Sequence, residues 1–170
     1  NKSISLRLST NRLELIAATL DHVCAELEAA ERLASLLKAH VEPGWPPGEY
    51  DRDAQVYFRD RIKEGGAAVI GGTVGMHYDT EVLIRLRYWW EQVDISVPRM
   101  KRVYVEIGFS IMPAWQNFGY ATELAELLIK NAFTDGRVLK VIAHTTPMNL
   151  ASCKVLEKCG FNYPKFPLKL

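Results

Sequence analysis

The sequence predicts an α+β fold in which a mixed, mostly antiparallel central sheet is flanked by helices. Its middle third is a succession of segments rich in β-forming residues, with no helical pattern between them. Its last third follows the order strand, helix, strand, helix. Segregated strands indicate an α+β architecture, and the strand–helix–strand unit from Tyr104 to Thr145 predicts a parallel, right-handed crossover.

The first third of the chain predicts one strand and two helices. Apolar and polar residues alternate from Leu6 to Ala18, which is typical of a strand. Thr19 is a cap-type residue, and the stretch from Asp21 to His40 repeats apolar residues every three or four positions, which predicts one long helix. The loop from Val41 to Asp51 is rich in proline and glycine. A second helix is predicted from Asp51 to Lys63, ended by the glycine pair that follows.

The remaining elements follow the same logic. Three extended segments are predicted: Ala67 to Tyr78, Val82 to Ile95, and Tyr104 to Met112. A helix from Tyr120 to Phe133 and a mostly apolar strand from Val138 to Thr145 come next. Asn149 then caps a helix that closes at Gly160, and Phe161 to Phe166 is predicted to be a last strand or a tail.

Length and composition suit one globular domain over residues 1–170, with 48% hydrophobic and 24% charged residues. The net charge of +1 argues against a dedicated nucleic-acid binder, which needs a basic excess to displace counterions. The sequence contains no run of about 18 apolar residues, so no membrane span is predicted. The three cysteines are an odd number, so a complete disulfide framework is excluded, and the free thiols of a cytoplasmic protein are expected.

The segment most informative about function is a short loop. It follows the strand that Pro113 stops, and it leads into a helix. A helix N-terminus presents unpaired backbone N–H groups and the positive end of the helix dipole, so it suits an anion. Gly119 lets the backbone approach that anion closely, and Ala121 is small for the same reason. The sequence has no Gly-Lys-Ser, Gly-Lys-Thr or Gly-x-Gly-x-x-Gly pattern, which argues against a nucleoside triphosphatase and a dinucleotide dehydrogenase.

This loop resembles a known family signature. Residues Gln116–Ala121 are similar to the pattern Arg/Gln-x-x-Gly-x-Gly/Ala of the GNAT superfamily, whose amides hold the pyrophosphate of coenzyme A. Three more segments resemble its ribosomal-protein N-terminal acetyltransferase-like branch: Thr10–Leu15, Glu106–Phe109 and Asn149–Phe161. Each motif alone is weak, but all of them in this order and on these element types form a specific pattern.

The resemblance covers about Leu6 to Val23 and Tyr104 to Phe161. It implies the GNAT fold, with acetyl-CoA as acyl donor and an amine as acceptor. The segment from Gly66 to Val103 departs from the usual pattern, so a role for it in the acceptor site or in a homodimer stays open.

The resemblance also assigns residues to the coenzyme. The strand before the loop would lie beside the pantetheine arm, and one of its amides would stabilise the oxyanion. The loop and the helix after it would hold the pyrophosphate, and the last helix would touch the coenzyme. The residues so assigned are Phe109, Ser110, Ile111, Gln116, Asn117, Phe118, Gly119, Tyr120, Ala121, Thr122, Asn149 and Ser152.

Two catalytic roles follow from the same resemblance. Glu106 is the candidate general base, acting on the amine through a water, and its alternative is a structural carboxylate paired with an arginine such as Arg12. Ser152 is the candidate acid for the departing thiolate, and its alternative is a share in the cap that Asn149 begins. Leu156 stands where some relatives place a tyrosine acid, so no tyrosine is available there.

Trp45 is the candidate acceptor-binding residue, because it lies in the loop where this fold usually admits its acceptor; core packing is the alternative. Cys153 and Cys159 are expected to be small buried thiols. The histidines have no paired spacing with each other or with the cysteines, so no metal site is expected.

The resemblance therefore implies an enzyme, an N-acetyltransferase that moves an acetyl group from acetyl-CoA to a primary amine by direct attack. The acceptor is open among a protein N-terminus, a polyamine, an amino acid and an aminoglycoside. The alternative is a coenzyme A-binding module or sensor without catalysis. Turnover of acetyl-CoA with a panel of amines separates the two.

Overall fold

The computed structural model describes residues 7–41, 43–45, 51–63, 73–77, 84–93, 102–136 and 138–162. Its strands form one sheet of six, in chain order. They are β1 Arg7–Ser9, β2 Leu13–Ala17, β3 Thr73–His77, β4 Ile84–Val93, β5 Arg102–Ile111 and β6 Val138–Ile142. Neighbouring strands pair antiparallel except β5 and β6, which pair parallel. The predicted mixed, mostly antiparallel sheet with a parallel strand–helix–strand unit is confirmed.

The helices lie between these strands in the predicted order. They are α1 Leu20–Glu28, α2 Ala30–Leu37, α3 Arg52–Lys63, α4 Tyr120–Ala132 and α5 Leu150–Lys158, with a short 3-10 helix at Pro113–Trp115. The glycine pair predicted to end α3, the start of the strand predicted from Ala67, and most of the predicted tail after Phe161 lie outside the described residues.

The predicted opening strand is wrong in one respect, because it is a hairpin of β1 and β2 rather than a single strand. The Thr10 N–H donates to the Leu13 carbonyl at 2.8 Å, which closes the turn. The Thr10 hydroxyl oxygen also accepts from the backbone N–H groups of Arg12, at 3.2 Å, and Leu13, at 2.9 Å. A threonine side chain that bonds backbone groups two and three residues on stabilises a turn, and this local bonding interrupts the alternating pattern.

The single long helix predicted from Asp21 to His40 is also corrected, to two helices. Ala29 between them is extended, with φ −167° and ψ 144°. Its N–H donates to the Ala25 carbonyl and ends α1, while its own carbonyl accepts from the Arg32 N–H and begins α2. Apolar residues keep their helical spacing across the break, so periodicity alone does not reveal it.

The main core lies between the sheet and α4. Leu13, Leu15, Val105 and Ile107 are almost fully buried against the apolar face of α4. The α4 residues in this core are Tyr120, Leu124, Ala125, Leu128 and Ala132. Burying a leucine side chain stabilises the fold by roughly 2 kcal/mol, so this contact fixes the start of α4 relative to β5.

The parallel pair opens at one end. Its register runs from Val103 opposite Val138 to Glu106 opposite Ile142, whereas β5 continues to Ile111. Over that continuation β5 still pairs with β4, up to Ile84 opposite Ile111. One edge of β5 from residue 107 to 111 therefore faces the space that opens where β6 ends.

Candidate active site

A cleft of about 930 Å³ lies beside the open end of β5. Its walls are the end of β5, the loop after it, the first turn of α4 and the exposed face of α5. The lining residues are Pro43, Gly44, Phe109, Ser110, Ile111, Met112, Pro113, Ala114, Trp115, Gln116, Asn117, Gly119, Tyr120, Ala121, Thr122, Asn149, Ala151, Ser152, Lys154, Val155 and Lys158.

The loop turns sharply just before α4. Gly119, the N-cap residue, has φ +82°, and Asn117 has φ +67°. Glycine takes the left-handed conformation without steric cost, and asparagine tolerates it better than most residues. No side chain at position 119 caps α4, and the first residues of α4 line the cleft, as an anion site at a helix N-terminus requires.

All the residues that the sequence assigns to the coenzyme line this cleft, except Phe118. The Phe118 side chain is 57% exposed, and its ring lies 5.9 Å from that of Tyr120. The Gln116 side chain donates from Nε2 to the Ile111 carbonyl at 3.0 Å. It therefore joins the loop to the end of β5.

Two lysines, Lys154 and Lys158, also line the cleft, although no sequence motif assigns them a role. They are four residues apart on α5, and Ala151 is three residues before the first of them, so the three positions share one helix face. That spacing is visible in the sequence, but only the fold shows that the face borders the cleft.

Arg12 and Glu123 form an ion pair near the cleft. Arg12 Nε and Nη2 lie 2.8 and 2.6 Å from Glu123 Oε2. The Thr10 hydroxyl donates to the other carboxylate oxygen of Glu123 at 2.5 Å. Burial would raise the pKa of Glu123, but the hydrogen bonds from Thr10 and Arg12 and the charge of Arg12 outweigh it and hold the pKa below its usual value. The alternative in which Arg12 pairs with Glu106 is wrong, because Arg12 pairs with Glu123.

Glu106 instead contacts His144. Its Oε1 lies 2.7 Å from His144 Nδ1, and the two side chains are 38% and 77% exposed. Glu106 is the last β5 residue that pairs with β6, so this contact bridges the two strands where they separate. A carboxylate only accepts hydrogen bonds, so an Nδ1–H of His144 donates to it. The sequence spacing of Glu106 and His144 gave no sign of their contact. The two residues meet because β5 and β6 pair in parallel and His144 lies just beyond the end of β6.

Asn149 and Ser152 begin α5 beside the cleft. Asn149 Oδ1 accepts from the Ser152 backbone N–H at 3.1 Å, which is an N-cap bond. The cap uses the backbone of Ser152, so its hydroxyl is not the capping acceptor. Leu156, where a tyrosine acid would stand, is buried.

Trp45 lies away from the lining of this cleft, although Pro43 and Gly44 just before it contribute to that lining. Its indole Nε1 donates to Glu26 Oε1 at 2.8 Å. Its ring packs against a second small cluster formed by Ile16, Leu33 and Leu37. Its assignment to the acceptor stays a prediction.

The thiols of α5 are half-buried. Burial, with a smaller contribution from the charge of Glu126, raises the pKa of Cys159, which disfavours its thiolate form. Within the part of the chain that the structure describes, no three histidine, cysteine or acidic side chains are grouped to hold a metal ion. No helix among the described residues is long and apolar enough to cross a membrane.

Comparison with known proteins gives consistent relatives. The sequence model of the family described as "Acetyltransferase (GNAT) domain" matches residues 23–162. The uncharacterized N-acetyltransferase YnaD of Bacillus subtilis (strain 168) is 34% identical over 61 residues, which are 36% of this chain and about a third (36%) of that protein. The uncharacterized N-acetyltransferase YjdG of the same organism is 26% identical over 155 residues, which are 91% of this chain and 88% of that one.

Among solved structures, a predicted acetyltransferase from Clostridium acetobutylicum, crystallised with acetyl-CoA, is similar to this chain with a TM-score of 0.56. The two chains are 14% identical, and the similarity covers 93% of this chain and 95% of the other. At that identity the similarity shows the fold alone, and it confirms the predicted fold class. Since the family match covers most of the sequence, the chain belongs to the GNAT acetyltransferase family.

Proposed function

We propose that this protein transfers an acetyl group from acetyl-CoA to a primary amine that attacks the thioester directly. The observation that carries the proposal is the cleft itself. It joins the N-terminus of α4 at Gly119, which no side chain caps, to the open edge of β5 at residues 109–111. A pyrophosphate suits the first, and an amide-bearing pantetheine arm suits the second.

The charge of the cleft supports an anionic coenzyme. Lys154 and Lys158 line it from α5, opposite the first turn of α4. Glu123, the acidic residue of that first turn, is already paired with Arg12. Positive side chains and a neutralised carboxylate both favour binding of phosphate groups.

The chemistry uses Glu106, which lies in the middle of the same strand where its pairing with β6 ends. The amine nitrogen forms a bond to the thioester carbonyl carbon, and the carbon–sulfur bond breaks. Before the attack, Glu106 takes a proton from the substrate ammonium through a water, so that the nitrogen attacks as a neutral amine. Ser152 then donates a proton to the departing thiolate and regains one, through solvent, from the second proton that the nitrogen loses. The Nδ1–H of His144 orients the Glu106 carboxylate, as the 2.7 Å contact allows.

The finer parts of the proposal rest on the sequence motifs. The motifs Thr10–Leu15 and Asn149–Phe161 support the ribosomal-protein N-terminal acetyltransferase-like branch, and the acceptor is a protein N-terminal amine or a small-molecule amine. Three free cysteines support a cytoplasmic location. A homodimer belongs to the same proposal, and light scattering of the purified protein tests it.

Calorimetry with acetyl-CoA on the wild type, Gly119→Glu and Gly136→Glu tests the coenzyme site. We expect Gly119→Glu to lose at least about 100-fold in affinity, because a side chain at φ +82° is strained and its carboxylate, next to Arg12, disturbs the turn that forms the start of the coenzyme site. Gly136→Glu is the matched control, since Gly136 is exposed and a Cβ there meets nothing within 4 Å. Equal binding by wild type and Gly119→Glu would show that the loop is not the coenzyme site.

Turnover completes the test. Release of free thiol from acetyl-CoA is followed with a panel of amines that contains an N-terminal peptide, a polyamine, an amino acid and an aminoglycoside. We expect acetylation of at least one of them. Tight coenzyme binding without turnover of any amine would instead favour a coenzyme-binding module without catalysis.

A further inference from the structure

We infer that Arg12 is a positioning residue for the coenzyme site: it fixes the loop before α4 to the opening hairpin and neutralises Glu123 beneath the bound anion. The inference rests on the proposed function, since it assumes that the N-terminus of α4 holds the coenzyme pyrophosphate. It assigns a role to a residue that lies outside the lining of the cleft.

One guanidinium contacts three parts of the site at once. Arg12 Nη1 donates to the Phe118 carbonyl at 3.0 Å, just before the sharp turn at Gly119. Its Nε and Nη2 bond the Glu123 carboxylate, and its Cζ lies 4.6 Å from the centroid of the Tyr120 ring. These partners are the last loop residue before the turn, the first residue of α4, and a residue one turn along the helix.

Arg12 is itself held in place by the hairpin turn. The Thr10 hydroxyl oxygen accepts from the Arg12 N–H, and the same hydroxyl donates to Glu123. Leu13, the next residue after Arg12, is fully buried in the main core. The arginine is therefore anchored at its backbone, so its contacts transmit the position of the sheet to the loop.

The guanidinium also lies directly behind the loop. A Cβ at Gly119 would be 3.5 Å from Arg12 Nη2, so the charge is close to the point where the backbone turns toward the cleft. The side chain of Glu123 is only 20% exposed. An unpaired carboxylate there would lie in the first turn of α4 and repel an anion bound at that N-terminus. Arg12 removes this repulsion, and a lysine cannot make the same forked set of contacts.

The test compares acetyl-CoA affinity and steady-state kinetics for Arg12→Gln, Arg12→Lys and the double variant Arg12→Gln/Glu123→Gln. We expect Arg12→Gln to raise Kd and KM for acetyl-CoA at least about tenfold, with kcat changed less than about twofold. The double variant should recover at least about threefold of that loss, because it also removes the unpaired carboxylate. Arg12→Lys should fall between wild type and Arg12→Gln.

Arg7→Gln is the matched control. Arg7 forms an ion pair with Glu14 on the same hairpin, and its side chain is 59% exposed. A purely structural role for Arg12 predicts a lowered Tm with unchanged Kd for the folded protein. That result would overturn the inference. If Arg12→Gln does not fold, an Arg12→Lys variant that binds acetyl-CoA as tightly as the wild type does would overturn it instead. In both cases, binding of acetyl-CoA by the wild type leaves the proposed function intact. If the wild type itself does not bind acetyl-CoA, the proposed coenzyme site fails, and this inference fails with it.

Discussion

The two ends of the proposed active site are built in different ways. At the coenzyme end, the backbone of the loop and the first turn of α4 form the surface, and Arg12, Thr10 and Glu123 hold it from behind with several short bonds. At the Glu106 end, which lies outside the lining of the cleft, one contact joins the side chains of Glu106 and His144, which are 38% and 77% exposed. Backbone amides can hold a pyrophosphate whatever the acceptor is, whereas exposed side chains at the other end can change with the acceptor.

This difference explains why the coenzyme is easier to infer than the amine. A sharp turn and a helix N-terminus impose glycine and small residues, and such constraints leave a pattern in the sequence. An acceptor is recognised by side chains on loops and strand ends, which carry no general pattern. Each end can therefore be perturbed by itself.

The largest effect in this comparison is expected from Glu106→Gln. It should lower kcat/KM at neutral pH by roughly 100-fold, because the side-chain amide of glutamine cannot take a proton from the substrate ammonium before the amine attacks. The rate should recover in part at high pH, where more of the amine is already deprotonated. The affinity for acetyl-CoA should stay within about twofold of wild type, since Glu106 is not among the residues that line the cleft.

A pH–rate profile of wild type, Glu106→Gln and Glu126→Gln makes this measurement. Glu126→Gln is the control, because Glu126 is an exposed carboxylate on α4. If Glu106→Gln has the wild-type rate at every pH, Glu106 is a structural partner of His144 and the base must be sought elsewhere.

Ser152→Ala should have a smaller effect, about tenfold on the single-turnover rate with little change in coenzyme affinity. The loss is moderate because a thiol has a pKa of about 8.5, so the leaving thiolate needs only limited help. The stability should hardly change, since the cap bond uses the Ser152 backbone N–H rather than its hydroxyl. A wild-type single-turnover rate would remove Ser152 from the proposed mechanism.

Local patterns predicted the part of the fold that local forces determine. The apolar period of α4, the β-forming run of β5 and the cap at Asn149 are each set by neighbouring residues, and the structure confirms all three. The break at Ala29 was missed because the apolar pattern continues across it. The hairpin turn at Thr10 was missed although polar residues 9–12 interrupt the alternation of apolar and polar residues there.

Contacts between distant segments are beyond such patterns. The partner of Arg12 is 111 residues away, and the partner of Glu106 is 38 residues away. From the sequence, Arg12 and Glu106 are possible partners because their charges are opposite. The order of the strands in the sheet places each of them beside a different residue. For the same reason the lysine pair of α5 acquires a role only when its face is placed beside α4.

The smallest effect is expected from Asn149→Ala, and it tests whether the start of α5 serves the coenzyme as well as the fold. Loss of an N-cap side chain costs about 1 kcal/mol, so the free energy of unfolding should fall by that amount, measured by urea denaturation. If Asn149 acts only as the cap, Kd for acetyl-CoA should match that of wild type. Because Asn149 lines the cleft beside Ser152, we expect Kd to rise as well, by about threefold, through loss of a direct contact between the Asn149 side chain and the coenzyme. Ser152→Ala is the matched control for this variant, since it alters the same turn and keeps the cap bond. A normal Kd together with the full loss of stability would restrict Asn149 to the helix and leave the loop before α4 and its first turn to hold the coenzyme.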